Sequence, residues 1–127
     1  MWMMFLAVFI GGGAGSVARW ALGMRYNTTA VSVLPVGTLM ANLIGAFVIG
    51  GALAYFASHA ELPPHCKLLI TTGLCGGLTT FSTFSAETFL FINQGQLSAA
   101  AINILCNLVG SLLMTALSFV LINWLVS

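Results

Sequence analysis

Four apolar runs, each long enough to cross a bilayer, fill almost the whole chain of 127 residues. They cover residues 1–24, 35–57, 66–92 and 97–126. One crossing takes about 20 apolar residues, so four helices and their connections use up the length, and one transmembrane domain over 1–127 is expected. The breaks hold turn formers and charges: Arg25, Tyr26, Asn27 and Thr28 in the first, then residues 58–64, then residues 93–96. A membrane strand would alternate over about ten residues. These runs are longer and apolar on every side, so the fold class is an all-α membrane protein. Charged residues make up only 4% of the chain, against roughly 25% in a soluble domain. Arg19, Arg25, Glu61, Lys67 and Glu87 cannot wet the surface of a globule this size. A soluble enzyme, a disordered chain and a nucleic-acid binder with its basic patch are thereby excluded. The start lacks the basic segment of a signal peptide, and its apolar run continues to Arg19, so the first run is expected to be retained.

Orientation follows the Lys and Arg count of the loops. With four crossings, both termini and the middle loop share one side, which carries Lys67. The other side carries Arg19 and Arg25. So small a bias lets copies insert both ways, and a homodimer of such copies is antiparallel, with its two-fold axis in the membrane plane. Cys66, Cys75 and Cys106 sit in or beside apolar helices without metal-ligand spacing and read as small packing residues. His59 and His65 read as solvated loop residues.

Polar groups inside the runs are more informative, because an unsatisfied one costs several kcal/mol in hydrocarbon. Gly11, Gly15, Arg19 and Gly23 are four apart and share a helix face, a pattern that lets backbones approach closely. The glycine cluster at 11–15 is not a phosphate-binding loop, since Ser16 stands where the last glycine belongs and no Lys-Ser/Thr follows. Arg19 either snorkels to the interface or acts as a fixed cation that pairs buried groups or draws in anions. Asn42, beside the small-residue stripe Gly37, Ala41 and Gly45, needs either an interhelical hydrogen bond or an aqueous lumen.

In the third run, three glycines at 73, 76 and 77 precede a series of hydroxyls and two phenylalanines. Glycine weakens a helix by about 1 kcal/mol relative to Ala, and hydroxyls capture backbone groups. A helix broken near mid-membrane, around residues 76–80, is expected. Its freed carbonyls could hold a cation. Phe81 and Phe84, three apart, either pack a core or present positive ring edges to an anion. In the fourth run Asn103, Asn107, Ser111 and Thr115 form a ladder about 18 Å long, read either as helix–helix glue or as a solute path. Glu87 lies ~12 Å from the middle of its helix, near the interface. A vestibule or loop contact suits it better than proton coupling at the midplane.

The strings GGGAGSVARW (11–20), GTLMANLIG (37–45) and TGLCGGLTTFSTFS (72–85) resemble the Fluc/CrcB family of fluoride channels, across all four runs. The resemblance implies a dual-topology antiparallel homodimer with two fluoride pores in the bacterial inner membrane, exporting fluoride from the cytoplasm. It implies pore residues Asn42, Phe81 and Phe84 and a polar track of Asn107, Ser111 and Thr115, with Ser82 and Thr83 taken as further pore lining. It implies a structural sodium ion at the dimer centre, held by the backbone carbonyls of Gly76 and Thr79 of both subunits. Arg19 matches the family's first-helix arginine. Fluoride comes from this resemblance; the residues themselves point only to a small polar solute or anion. Two rivals stand beside it. A proton-coupled exporter of small cations, like the small multidrug-resistance transporters, needs a mid-depth carboxylate that the chain lacks. An accessory subunit that only packs against a partner has no use for buried hydroxyl ladders.

Overall fold

The computed structural model describes residues 1–27 and 34–127; Thr28 of the first expected break lies outside them. Among the described residues the regular elements are all helical. Helix α1 spans Trp2–Tyr26 and α2 spans Val36–Ser58. Then come α3 (Pro64–Leu68), a π-helical segment (Leu69–Cys75) and α4 (Gly76–Leu78), which together form one continuous helical run. After two extended residues follow α5 (Phe81–Asn93) and α6 (Leu97–Val126). Helices α1, α2 and α6 are long and apolar enough to cross a membrane.

Two connections have clear physical causes. Asn27 ends α1 and starts α2: its Oδ1 accepts from the Gly37 and Thr38 N–H groups at 2.7 and 3.3 Å, satisfying donors that a helix start leaves open. Gly95 turns the chain from α5 to α6 at φ 74°, a left-handed conformation that glycine adopts without steric cost.

The packing is inside out compared with a soluble protein. Buried apolar residues are mostly small, among them Ala41, Ala46, Ala54, Ala99 and Ala100, and the largest fully buried side chains are Asn103 and Ser118. Leucines and phenylalanines such as Phe5, Phe9, Leu112 and Leu117 face outward. Helices in lipid associate in this way, through small residues and hydrogen bonds. On α1, Trp2 and Trp20 are five turns and ~27 Å apart on one exposed face, close to the hydrocarbon thickness, as interfacial aromatic anchors are. On the opposite face Gly11 and Gly15 are buried. A Cβ on Gly11 would run into the Leu69 carbonyl, and one on Gly15 into the Leu74 carbonyl. Helix α1 thus lies backbone against backbone on the π-helical segment and α4. On the other flank, α2 packs along α6: Gly50 sits against the Thr115 carbonyl, and Thr115 Oγ1 donates to Ala46 O at 3.1 Å.

The break is narrower than its glycines suggest. Gly76 and Gly77 stay helical, and the chain turns extended at Thr79 (ψ 154°) and Thr80 (φ −150°, ψ 115°). Gly77 serves close packing instead, because a Cβ there would strike the Gly12 carbonyl. β-Branched Thr79 and Thr80, which favour extended backbone, make the departure.

Candidate functional site

The site forms where the chain leaves the helix. In an uninterrupted helix the Thr80 N–H would bond to the Gly76 carbonyl and the Thr83 N–H to the Thr79 carbonyl. Here the Thr80 N–H donates to Asn42 Oδ1 at 2.8 Å, and the Thr83 N–H donates to Thr80 Oγ1 at 3.1 Å. Gly76 and Thr79, singled out in the sequence, are two of the carbonyls at residues 76–79 that lose their helical donors at the break. Gly77 O between them accepts from Arg19 Nε at 3.1 Å, so Arg19 is tied to the break across the α1 contact.

Asn42 on α2 bridges the break to α6. Its Nδ2 donates to Asn107 Oδ1 at 2.8 Å and, at a longer 3.4 Å, to Thr80 O. Asn107 Nδ2 donates to the Asn103 carbonyl at 2.9 Å and to Asn103 Oδ1 at 3.1 Å. Asn103 Nδ2 donates to Thr88 Oγ1 at 3.0 Å, and Thr88 Oγ1 donates to Phe84 O at 2.8 Å. Asn103 and Asn107 are therefore engaged by protein partners, and Thr115 binds α2. Ser111 faces the cavity described next.

A cavity of about 570 Å³ opens at the break. Its lining brings together Asn42, Gly76, Thr79, Phe81, Phe84, Asn107, Ser111 and Thr115 of the expected residues. The two rings meet edge to face, with centroids 5.5 Å apart and planes at 70°. Phe84 is buried, whereas Phe81 is 74% exposed. The helical run ending at Leu78 directs its negative end here and α5 its positive end, so cation and anion preferences lie side by side.

Four expected residues sit apart from the lining. Ser82 is exposed, with its hydroxyl 3.4 Å from that of Thr80, and Thr83 Oγ1 accepts from Thr80 Oγ1 at 3.1 Å. Among the described residues Arg19 hydrogen-bonds the Gly77 carbonyl and not the cavity wall. Glu87 Oε2 accepts from Thr38 Oγ1 at 3.0 Å, and Glu87 Oε1 is buried without a hydrogen-bond partner among the described residues. This is a contact with the α1–α2 connection, since Thr38 Oγ1 also accepts from Asn27 Nδ2 at 3.2 Å. Thr38, Thr80 and Thr88 were not singled out by the sequence reading. Spacing carries the signal for two of them: Thr38 lies four residues before Asn42 on α2, and Thr88 four residues after Phe84 on α5, each pair on a shared helix face, whereas Thr80 is extended and caps α5.

Comparison with known proteins identifies the family. Residues 6–119 match the family model described as CrcB-like protein, Camphor Resistance (CrcB). The chain is 64% identical over 124 residues to the fluoride-specific ion channel FluC of Pectobacterium carotovorum subsp. carotovorum (strain PC1), covering 98% of this chain and 97% of that protein. It is 55% identical over 127 residues to FluC of Klebsiella pneumoniae (strain 342), covering 100% and 96%. It is 55% identical over 123 residues to FluC 1 of Yersinia pestis, covering 97% and 96%. Matched from end to end, with the break, its asparagine bridge and its phenylalanine pair inside the matched region, the chain belongs to the CrcB family.

Proposed function

We propose that this multi-pass bacterial membrane protein is a fluoride channel, not an enzyme, and that it lets fluoride leave the cytoplasm passively. The observation that carries the reading is the cavity at the break. There the two phenylalanine rings and the Ser111 hydroxyl line one wall with the Asn42 amide and the Thr115 hydroxyl, whose hydrogens are held by Asn107, Thr80 and Ala46 at rest, and no carboxylate stands among the described lining residues. Ring edges and neutral donors attract a small anion without the full charge that would trap it. The names of the relatives supply fluoride as the anion. A proton-coupled cation exporter is disfavoured, because Glu87 is engaged by Thr38 away from the cavity.

The same reading makes the working unit an antiparallel homodimer with two pores and four crossings per chain, the third formed by residues 64–93 in two half-helices. Discontinuous helices at mid-depth commonly pair an anion with the N-terminal end of one half and a cation with the C-terminal end of the other. The Gly76 and Thr79 carbonyls, freed of their helical donors, suit a sodium ion at the centre. One chain offers too few oxygens, and a second copy would complete the shell. Such an ion would supply fixed positive charge and hold the two breaks together.

The test is efflux of fluoride and of chloride from liposomes containing the purified protein. Fluoride should leave without a proton gradient and far faster than chloride. Phe81→Leu and Phe84→Leu keep apolar bulk and remove the ring edge, so each should slow fluoride efflux by about tenfold or more, the worth of one well-placed polar contact. A double leucine variant that conducts like the wild type would remove the rings from the mechanism.

A further inference from the structure

Helix α5 carries both phenylalanines, yet it buries only Phe84 and Thr88. Apolar packing therefore does little to fix its rotation about its own axis. Three polar ties do so instead: Thr80 to Asn42 at its start, Glu87 to Thr38, and Thr88 to Asn103. The third is the most enclosed, with Asn103 only 1% exposed. It also closes a circuit. Hydrogen bonds leave α5 at the Thr80 N–H, pass through the Asn42, Asn107 and Asn103 amides, and return through the Thr88 hydroxyl to the Phe84 carbonyl. The circuit begins at a backbone donor and ends at a backbone acceptor, so every amide in it can point only one way. Bonds in such a head-to-tail chain polarise one another.

We infer that Thr88 and Asn103 are positioning residues for the phenylalanine pair: they lock the rotation of α5 and thereby seat the Phe81 and Phe84 rings at the cavity wall. The inference rests on the pore reading given above, because the rings are what the lock serves. Neither residue lines the cavity; Thr88 can reach the anion only through α5, whereas Asn103 also steadies the Asn107 amide at the cavity wall, so the Thr88 variants carry the test of the lock.

The experiment compares Thr88→Val, Thr88→Ser and the double variant Thr88→Val/Asn103→Leu with the wild type and with Phe84→Leu, reading fluoride efflux per folded channel and the fluoride-to-chloride ratio. The double variant replaces both partners by apolar groups of similar size, so neither side of the Thr88–Asn103 contact is left orphaned, while the Asn107 amide gives up its bond to Asn103 Oδ1. Asn107 keeps its bond to the Asn103 backbone carbonyl there. Thr88→Val and the double variant should conduct about tenfold more slowly and discriminate less against chloride, while Thr88→Ser, which keeps the hydroxyl, should restore both. A merely structural pair would change the amount of folded protein but not the ratio. Wild-type efflux and ratio in the double variant would overturn the inference, as would a double variant that no longer folds. Wild-type conduction by Phe84→Leu would instead sink the pore reading itself, whereas an impaired Phe84→Leu beside a normal double variant would sink only the positioning role.

Discussion

Asn42 shows how much one buried amide decides. Its Oδ1 takes the Thr80 N–H that would otherwise bond the Gly76 carbonyl, and its Nδ2 holds Asn107. Asn42→Asp keeps the first contact and spoils the second, because a carboxylate oxygen would then face Asn107 Oδ1, acceptor against acceptor. It would also place negative charge on the proposed anion path. Fluoride efflux should fall by at least about tenfold, and thermal unfolding in detergent should show a loss of about 1–3 kcal/mol, the cost of unsatisfied buried polar atoms. Wild-type flux at neutral pH would take Asn42 off the path. That Asn42 matters was legible in the sequence, since an amide in an apolar run must be satisfied somewhere. Its partner was not legible, because Asn107 lies 65 residues away and only the packing of α2 on α6 brings the two together. The same holds for Glu87: distance from the helix centre pointed to a vestibule or a loop contact, but Thr38 is found only once α2 and α5 are docked.

At the scale of elements, glycines and hydroxyls announced a break in the third run, while its position was set by tertiary contacts. Gly77 is held helical by its approach to α1, and the extended residues are the two threonines that follow. The π-helical turn over Leu69–Cys75 left no trace in the sequence pattern; it lies where the backbone of α1 packs closely on that segment. Two glycines of α1 test this packing. A Cβ at Gly15 would meet the Leu74 carbonyl and, at 2.6 Å, the Leu78 nitrogen, whereas one at Gly13 meets nothing within 4 Å. Gly15→Ala should destabilise the protein by about 1–3 kcal/mol through overpacking. Gly13→Ala should leave it unchanged or slightly more stable, since alanine is the better helix former. Equal unfolding midpoints for the two variants would contradict the close α1 contact. The diverted carbonyls of Gly76 and Thr79 give a second prediction at this scale. Prolonged exchange of sodium for potassium should lower fluoride efflux and weaken the dimer on gel filtration, and returning sodium should restore both. Identical behaviour in both salts after complete exchange, followed by the ion content of the protein, would argue against a cation at the break.

For the molecule as a whole, the question is what covers the open side of the break. Phe81 lines the cavity and is still 74% exposed, and beside it lie carbonyls that hydrocarbon cannot satisfy. A second copy related by an axis in the membrane plane would set break against break, since an element at mid-depth meets itself under that operation. A parallel pair would bring the two breaks to the same depth but with both half-helix dipoles pointing the same way, so that neither copy's positive end would offset the other's negative end. On the proposed four crossings the charge count would permit the antiparallel arrangement, because Lys67 would fall on one side and Arg19 and Arg25 on the other, leaving the chain almost without a preferred orientation. Orientation should therefore be easy to force. A triplet of lysines added at the C-terminus should commit the chain to one direction, and a triplet in the connection after Arg25 to the other. Either variant expressed alone should fail to relieve fluoride toxicity in cells and should lack efflux when purified. Expressed together, the two should restore both, and cross-linking should recover mixed dimers. Full efflux from a single variant shown by protease protection to be uniformly oriented would rule the antiparallel dimer out.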